Sequence, residues 1–313
     1  MERYAAARAT VKGLHAVVDP DGELSYGPGM RDSRLLRTLD ELGAADIGGP
    51  ARPSPFRRGA RNVLVAGLPK SGSSFVTLAL ARYLDAPVVP AALTRGGEVL
   101  DHRLNLARLL RLKLAGGDSV SAQHAVANAE TLHLIRTFDL RTVVTTRPVL
   151  DALVSLRDHV QRDQQDVPRL SLPDTLVFLP YAPPHFYRLL LTHKGRELTD
   201  FIVEVFAPWF FLFLLSWEHA RRTKAAPVHV VRYEDLARDE GTEIVRALEY
   251  LGIEPDVSRI GKVLRNLRRD SPPALLNVGV AGRGRATLTR GQIARVRAIG
   301  HLFAPRPVVE ALL

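Results

Sequence analysis

A short apolar run, Asn62-Val63-Leu64-Val65-Ala66, leads straight into Gly67-Leu68-Pro69-Lys70-Ser71-Gly72-Ser73-Ser74, and the helical pattern Phe75-Val76-Thr77-Leu78-Ala79-Leu80 follows at once. A brief apolar run ahead of a glycine turn reads as a strand covered on both faces, and such strands belong to parallel sheets. A glycine-containing turn from strand to helix aims several backbone N–H groups at one point. The helix N-terminus adds about half a positive charge there. This segment therefore calls for an α/β architecture with an anion site at one end of its sheet. An ordinary turn would explain the glycines, but not a lysine and three hydroxyls within five positions, 70–74.

The rest of the chain repeats the pattern. Further short apolar runs lie at 87–89, 119–121, 142–145 and 228–231, and helical periodicity fits 75–84, 104–114, 125–138, 150–160, 244–251 and 260–267. Strands alternating with helices imply an α/β domain with a central, mostly parallel sheet flanked by helices. Residues 61–313 read as that domain, and 1–60 as an appendage whose stretch 43–59, rich in Gly and Pro, is a linker. The prolines and aromatics of 161–200 break the alternation and read as an insertion over one end of the sheet.

Composition narrows the chemistry. The chain has no Cys, which excludes disulfides, thiolate metal sites and cysteine nucleophiles, and suits a reducing, cytoplasmic setting. The formal net charge is +10, and residues 256–313 hold eleven Lys or Arg against three acids. Such a balance favours anionic partners, yet no recognised nucleic-acid module accompanies it. The most apolar stretch, 201–217, is shorter than the roughly 20 residues a membrane span needs and contains Glu204 and Pro208. It reads as a buried helix; Arg221, Arg222 and Lys224 just beyond it leave peripheral contact with a membrane surface as the alternative. Arg259, Lys262, Arg265 and Arg269 share one face of an amphipathic helix, a solvated face or an acceptor-binding stripe.

Gly67 and Gly72 have the spacing of the Walker A loop, G-x-x-x-x-G-K-[ST], but Ser73 stands where its lysine belongs and the lysine comes early, at Lys70. Pro-Lys-Ser-Gly-Ser-Ser resembles instead the 5′-phosphosulfate loop of sulfotransferases that use 3′-phosphoadenosine 5′-phosphosulfate (PAPS). A second segment resembles that family's 3′-phosphate element. The run Val143-Val144-Thr145-Thr146 ends in Arg147, and Ser155 follows on a helix eight residues later. Val231-Arg232-Tyr233-Glu234-Asp235 is similar to the segment whose tyrosine borders the adenine. Gly279-Val280-Ala281-Gly282-Arg283-Gly284-Arg285 is similar to the basic glycine loop that closes over the 3′-phosphate, although Asn277-Val278 replaces the family's usual Arg-Lys.

The resemblance implies a P-loop-like sulfotransferase fold, PAPS as co-substrate, no metal, and transfer to a small-molecule, lipid or saccharide acceptor. Lys70, Ser71, Gly72, Ser73 and Ser74 would hold the phosphosulfate, and Arg147, Ser155, Gly279, Gly282, Arg283, Gly284 and Arg285 the 3′-phosphate end. Tyr233 and Phe75 would border the adenine, Phe75 being as readily a core residue. The acceptor's proton needs a base. His124 has the place of the catalytic histidine in the cytosolic branch, though Ala122 stands where that branch has a lysine. Glu98 has the spacing from Lys70 of the glutamate in the carbohydrate branch, and His102 is a third candidate. A histidine titrates near neutrality and suits the task. Two other classes compete: a deviant P-loop kinase or nucleotide-phosphate enzyme, which would need Mg²⁺ and an acidic strand end, and a non-enzymatic binder of anions or nucleic acid.

Overall fold

The computed structural model describes residues 9–11, 14–18, 24–26, 60–91, 94–95, 98–99, 102–165, 189–190, 192–270 and 281–313. The chain divides into two compact units, Met1–Pro50 and Ala51–Leu313, and the division falls inside the stretch 43–59. The first unit contains a three-stranded antiparallel sheet of β1 (Ala9–Val11), β2 (Leu14–Val18) and β3 (Leu24–Tyr26).

The second unit carries β4 (Asn62–Gly67), α1 (Ser73–Leu84), β5 (Thr94–Arg95), β6 (Glu98–Val99), α2 (Leu106–Ala115), β7 (Ser119–Gln123), α3 (Ala129–Thr137), β8 (Arg141–Thr146), α4 (Val149–Gln165) and α5 (Gly195–Arg222). Then follow β9 (Val228–Arg232), α6 (Tyr233–Arg238), α7 (Glu240–Tyr250), α8 (Val257–Asp270), α9 (Arg283–Thr287), α10 (Arg290–His301) and α11 (Arg306–Leu312). Four strands make one parallel sheet in the order β7-β4-β8-β9. The segment expected as a strand at 87–89 is only a bridge, Val88 to Val120. Pro87 has no N–H to extend a ladder there. Of the expected insertion at 161–200, residues 161–165 belong to α4 and 195–200 to α5, while 166–188 and 191 lie outside the described residues.

The two-residue alternation of strands sets the faces. Val63, Val65, Val120, Val143 and Val231 pack with Val76, Ala79 and Leu80 of α1, Ile244 and Leu248 of α7, and Ile260, Leu264 and Leu267 of α8. A second helical layer packs α4 and α10 on α5, with α9 on α4. This α5 corrects the length argument made from 201–217. It runs 28 residues through Pro208, and among the described residues it is long and apolar enough to cross a membrane by length and composition. Burial replaces length as the argument: 61% of its most apolar window is inside the protein, and Phe206, Phe210, Phe213 and Trp217 are core. Trp217 Nε1 donates to Ala125 O at 2.9 Å, tying α5 to the end of β7. On α8, Arg259 pairs with Asp85 at 2.6 Å, Arg268 with Glu240 at 2.7 Å and Arg269 with Asp270 at 3.0 Å. Part of that basic surface is thus taken up by ion pairs within the chain.

Candidate active site

β4 ends at Gly67, and the chain turns through 68–72 before α1 begins. Lys70 (φ 67°) and Gly72 (φ 83°) both take left-handed backbone. Glycine adopts it freely, whereas for lysine it costs about 1–3 kcal/mol, and strain of this kind gathers at ligand-binding turns. Gly67 is required by close approach. A Cβ there would stand 2.3 Å from Ser73 Cβ and 3.0 Å from Thr145 Oγ1. Gly67→Ala should therefore destabilise the protein by about 1–3 kcal/mol by overpacking. A denaturant midpoint equal to wild type would show that the loop yields instead.

The loop is tied to the neighbouring strand. Leu68 N donates to Thr145 O at 3.0 Å, and the hydroxyls of Ser71 and Thr145 lie 2.6 Å apart. Ser71 is fully buried, so its hydroxyl serves this brace on β8. Lys70 is half-buried, Ser73 opens α1 and Ser74 is exposed. Phe75 is partly buried and leans on the core cluster.

Arg147 follows β8 at the same end of the sheet. Its Nη1 donates to Lys70 O at 2.9 Å, and its guanidinium lies 3.8 Å from the ring centroid of Tyr233, the first residue of α6. Only 4% of Arg147 is exposed. Burial draws its pKa down, opposed by Tyr233, Asp151 and Glu234. Burial also raises the Glu234 carboxyl above its ordinary value. Ser155 is buried on α4. The basic glycine loop, whose residues 283–285 begin α9, docks on the same helix. The N–H groups of Gly282 and Gly284 both donate to the Asp151 carboxylate at 2.6 Å, and Arg283 pairs with Asp158 at 2.8 Å. Arg285 is exposed, and Gly279 lies outside the described residues.

His124 leaves β7 beside the start of the loop, its Nδ1 2.6 Å from Gly67 O. A carbonyl only accepts, so Nδ1 carries the proton and the basic lone pair of the neutral ring belongs to Nε2. His102 lies 6.4 Å from His124 between ring centroids and meets the edge of Trp209 at 4.9 Å; Trp209 is 6.3 Å from His124. Of Glu98, the backbone pairs with Arg95 in β5–β6, and the side chain lies outside the described residues. Sequence reading gave no role to Asp151, Thr145 or Trp209. Asp151 stood in view on the helical pattern 150–160, and Trp209 inside the apolar stretch 201–217. Among the described residues, no group of three or more His, Asp or Glu is placed to hold a metal ion.

The arrangement joins an amide-rich, lysine-bearing turn, a buried arginine and an oriented imidazole at one end of a parallel sheet, where folds of this class bind ligands. Residues 60–272 match the family model described as a sulfotransferase domain. In structure the chain is similar to the mouse sulfotransferase SULT7A1 complexed with PAP, at 17% identity and a TM-score of 0.55, covering 96% of this chain and 98% of that one. It is also similar to retinol dehydratase in complex with retinol and PAP, at 15% identity and a TM-score of 0.45, covering 91% of this chain and 89% of that one. At such identities the first likeness speaks for the fold alone. No curated protein matches the chain in sequence.

Proposed function

Because the chain belongs to the sulfotransferase domain family, we propose that it transfers the sulfuryl group of PAPS to a hydroxyl or amine of a small-molecule acceptor. The observation that carries the reading is the hydrogen bond from Arg147 to Lys70 O. It joins two phosphate-reading elements, far apart in the chain, at the C-terminal ends of the paired strands β4 and β8. The residues suit the nucleotide: a strained turn rich in N–H groups that carries a lysine, and a buried guanidinium against the ring of Tyr233.

In this reading Lys70 and the amides of Gly72, Ser73 and Ser74 hold the 5′-phosphosulfate and stabilise charge as it develops on the leaving phosphate. Arg147 and Ser155 hold the 3′-phosphate, with Arg283 and Arg285 closing over it. Tyr233 and Phe75 border the adenine. PAPS supplies a sulfur centre on a good leaving group. The protein's part is alignment, charge stabilisation and removal of the acceptor's proton by His124, with no metal involved. The absence of cysteine supports a cytoplasmic setting.

Calorimetry with adenosine 3′,5′-bisphosphate and 5′-AMP tests this. Arg147→Ala should weaken bisphosphate binding by about 1.5–3 kcal/mol, the worth of a charged hydrogen bond, and Ser155→Ala should weaken it less. AMP should lose less, because it lacks the 3′-phosphate and feels only the loss of the bond from Arg147 to Lys70 O. Equal losses for both ligands would assign Arg147 to the wrong phosphate. Failure of wild type to bind the bisphosphate, or binding only with Mg²⁺, would sink the reading in favour of a kinase-like enzyme.

A further inference from the structure

Asp151 lies in the first turn of α4, four residues after Arg147 and one turn before Ser155, and shares a face of α4 with Ser155 and Asp158. It is 3% exposed. A buried carboxylate needs partners, and here both are backbone groups of one loop. Oδ2 accepts from Gly282 N and Oδ1 from Gly284 N, each at 2.6 Å. The loop sits against the helix with no room between them: a Cβ on Gly284 would stand 2.4 Å from the carbonyl carbon of Leu150 and 2.6 Å from Asp151 N. One turn beyond Ser155, Asp158 holds Arg283 at 2.8 Å.

By charge alone, a carboxylate beside Arg147 works against an anionic ligand. Two hydrogen bonds donated by backbone N–H groups and the nearby guanidinium absorb that charge, so what Asp151 contributes is position. The N–H groups of Gly282 and Gly284 serve the carboxylate, which leaves anion recognition by this loop to its cationic side chains. We infer that Asp151 is a positioning residue that clamps residues 282–284 to α4, so that Arg283 and Arg285 stand beside the helix that carries Ser155. The inference rests on the nucleotide reading given above.

The test compares adenosine 3′,5′-bisphosphate with 5′-AMP on the full chain, using wild type, Asp151→Asn and Gly284→Ala. The asparagine turns an N–H donor toward one glycine N–H, and the alanine pushes the same loop off the helix from the other side. Each variant should lose about tenfold or more in bisphosphate affinity, with AMP affinity within about twofold of wild type. The preference for the 3′-phosphate should shrink, and KM for PAPS should rise with kcat little changed. A merely structural role would lower both affinities together with the unfolding midpoint and leave the preference intact; that result overturns the assignment. If Asp151→Asn fails to fold, Gly284→Ala alone decides between the two roles. A wild type that shows no preference for the bisphosphate brings down the function reading itself. A wild-type preference retained in both variants brings down only Asp151.

Discussion

Replacing Lys70 by alanine should lower sulfuryl transfer by about 10²–10³ and leave the fold standing. Lys70 is the cation of the turn between β4 and α1, half-buried and outside the core. Its backbone carbonyl, not its side chain, carries the bond to Arg147, so truncation spares that brace. The ammonium is proposed to act where charge grows on the bridging oxygen and the leaving phosphate. A donor to developing charge matters more in the transition state than in the ground state. Single-turnover transfer should therefore fall much further than affinity for adenosine 3′,5′-bisphosphate. Near-normal transfer by a folded Lys70→Ala protein would remove this loop from the active site.

His124→Ala should cut the chemical step by about 10²–10⁴ if His124 takes the acceptor's proton. Alanine also deletes the bond between Nδ1 and Gly67 O at 2.6 Å, which steadies the start of the loop. His124→Asn separates the two roles. Its amide nitrogen stands near the place of Nδ1 and can donate to Gly67 O, but asparagine is no base. A base at His124 predicts that both variants are dead in single turnover and that the asparagine variant binds the bisphosphate as wild type does. Recovery of transfer by His124→Asn would make His124 a positioning residue of the loop. Proton removal would then pass to Glu98 or His102, and Glu98→Gln, of unchanged size, tells them apart: loss of transfer assigns Glu98, and retained transfer leaves His102.

The turn from β4 to α1 was legible from residues alone because its physics is local. A buried apolar run, glycines at fixed offsets and a helix start lie within 62–80, and each acts on its neighbours in sequence. Arg147 and Ser155 were singled out by resemblance to the family's 3′-phosphate element, with a strand end and a helix face as their local context. The parallel sheet and its helical cover followed from periodicity, with 87–89 overread as a strand because an apolar run does not say how many ladder bonds its proline allows. Tertiary structure alone decided what meets across the sheet. Gly282 reaches Asp151 over 131 residues and His124 reaches Gly67 over 57, and no periodicity encodes either partner. Ser71 turned inward to Thr145, Tyr233 took the Arg147 guanidinium on its ring, and Trp209 came beside His102 and His124. A sequence pattern states which face of an element is buried. The group opposite that face is chosen by how strands pair and helices cross, and a polar side chain's role follows from the partner that packing brings within about 3 Å.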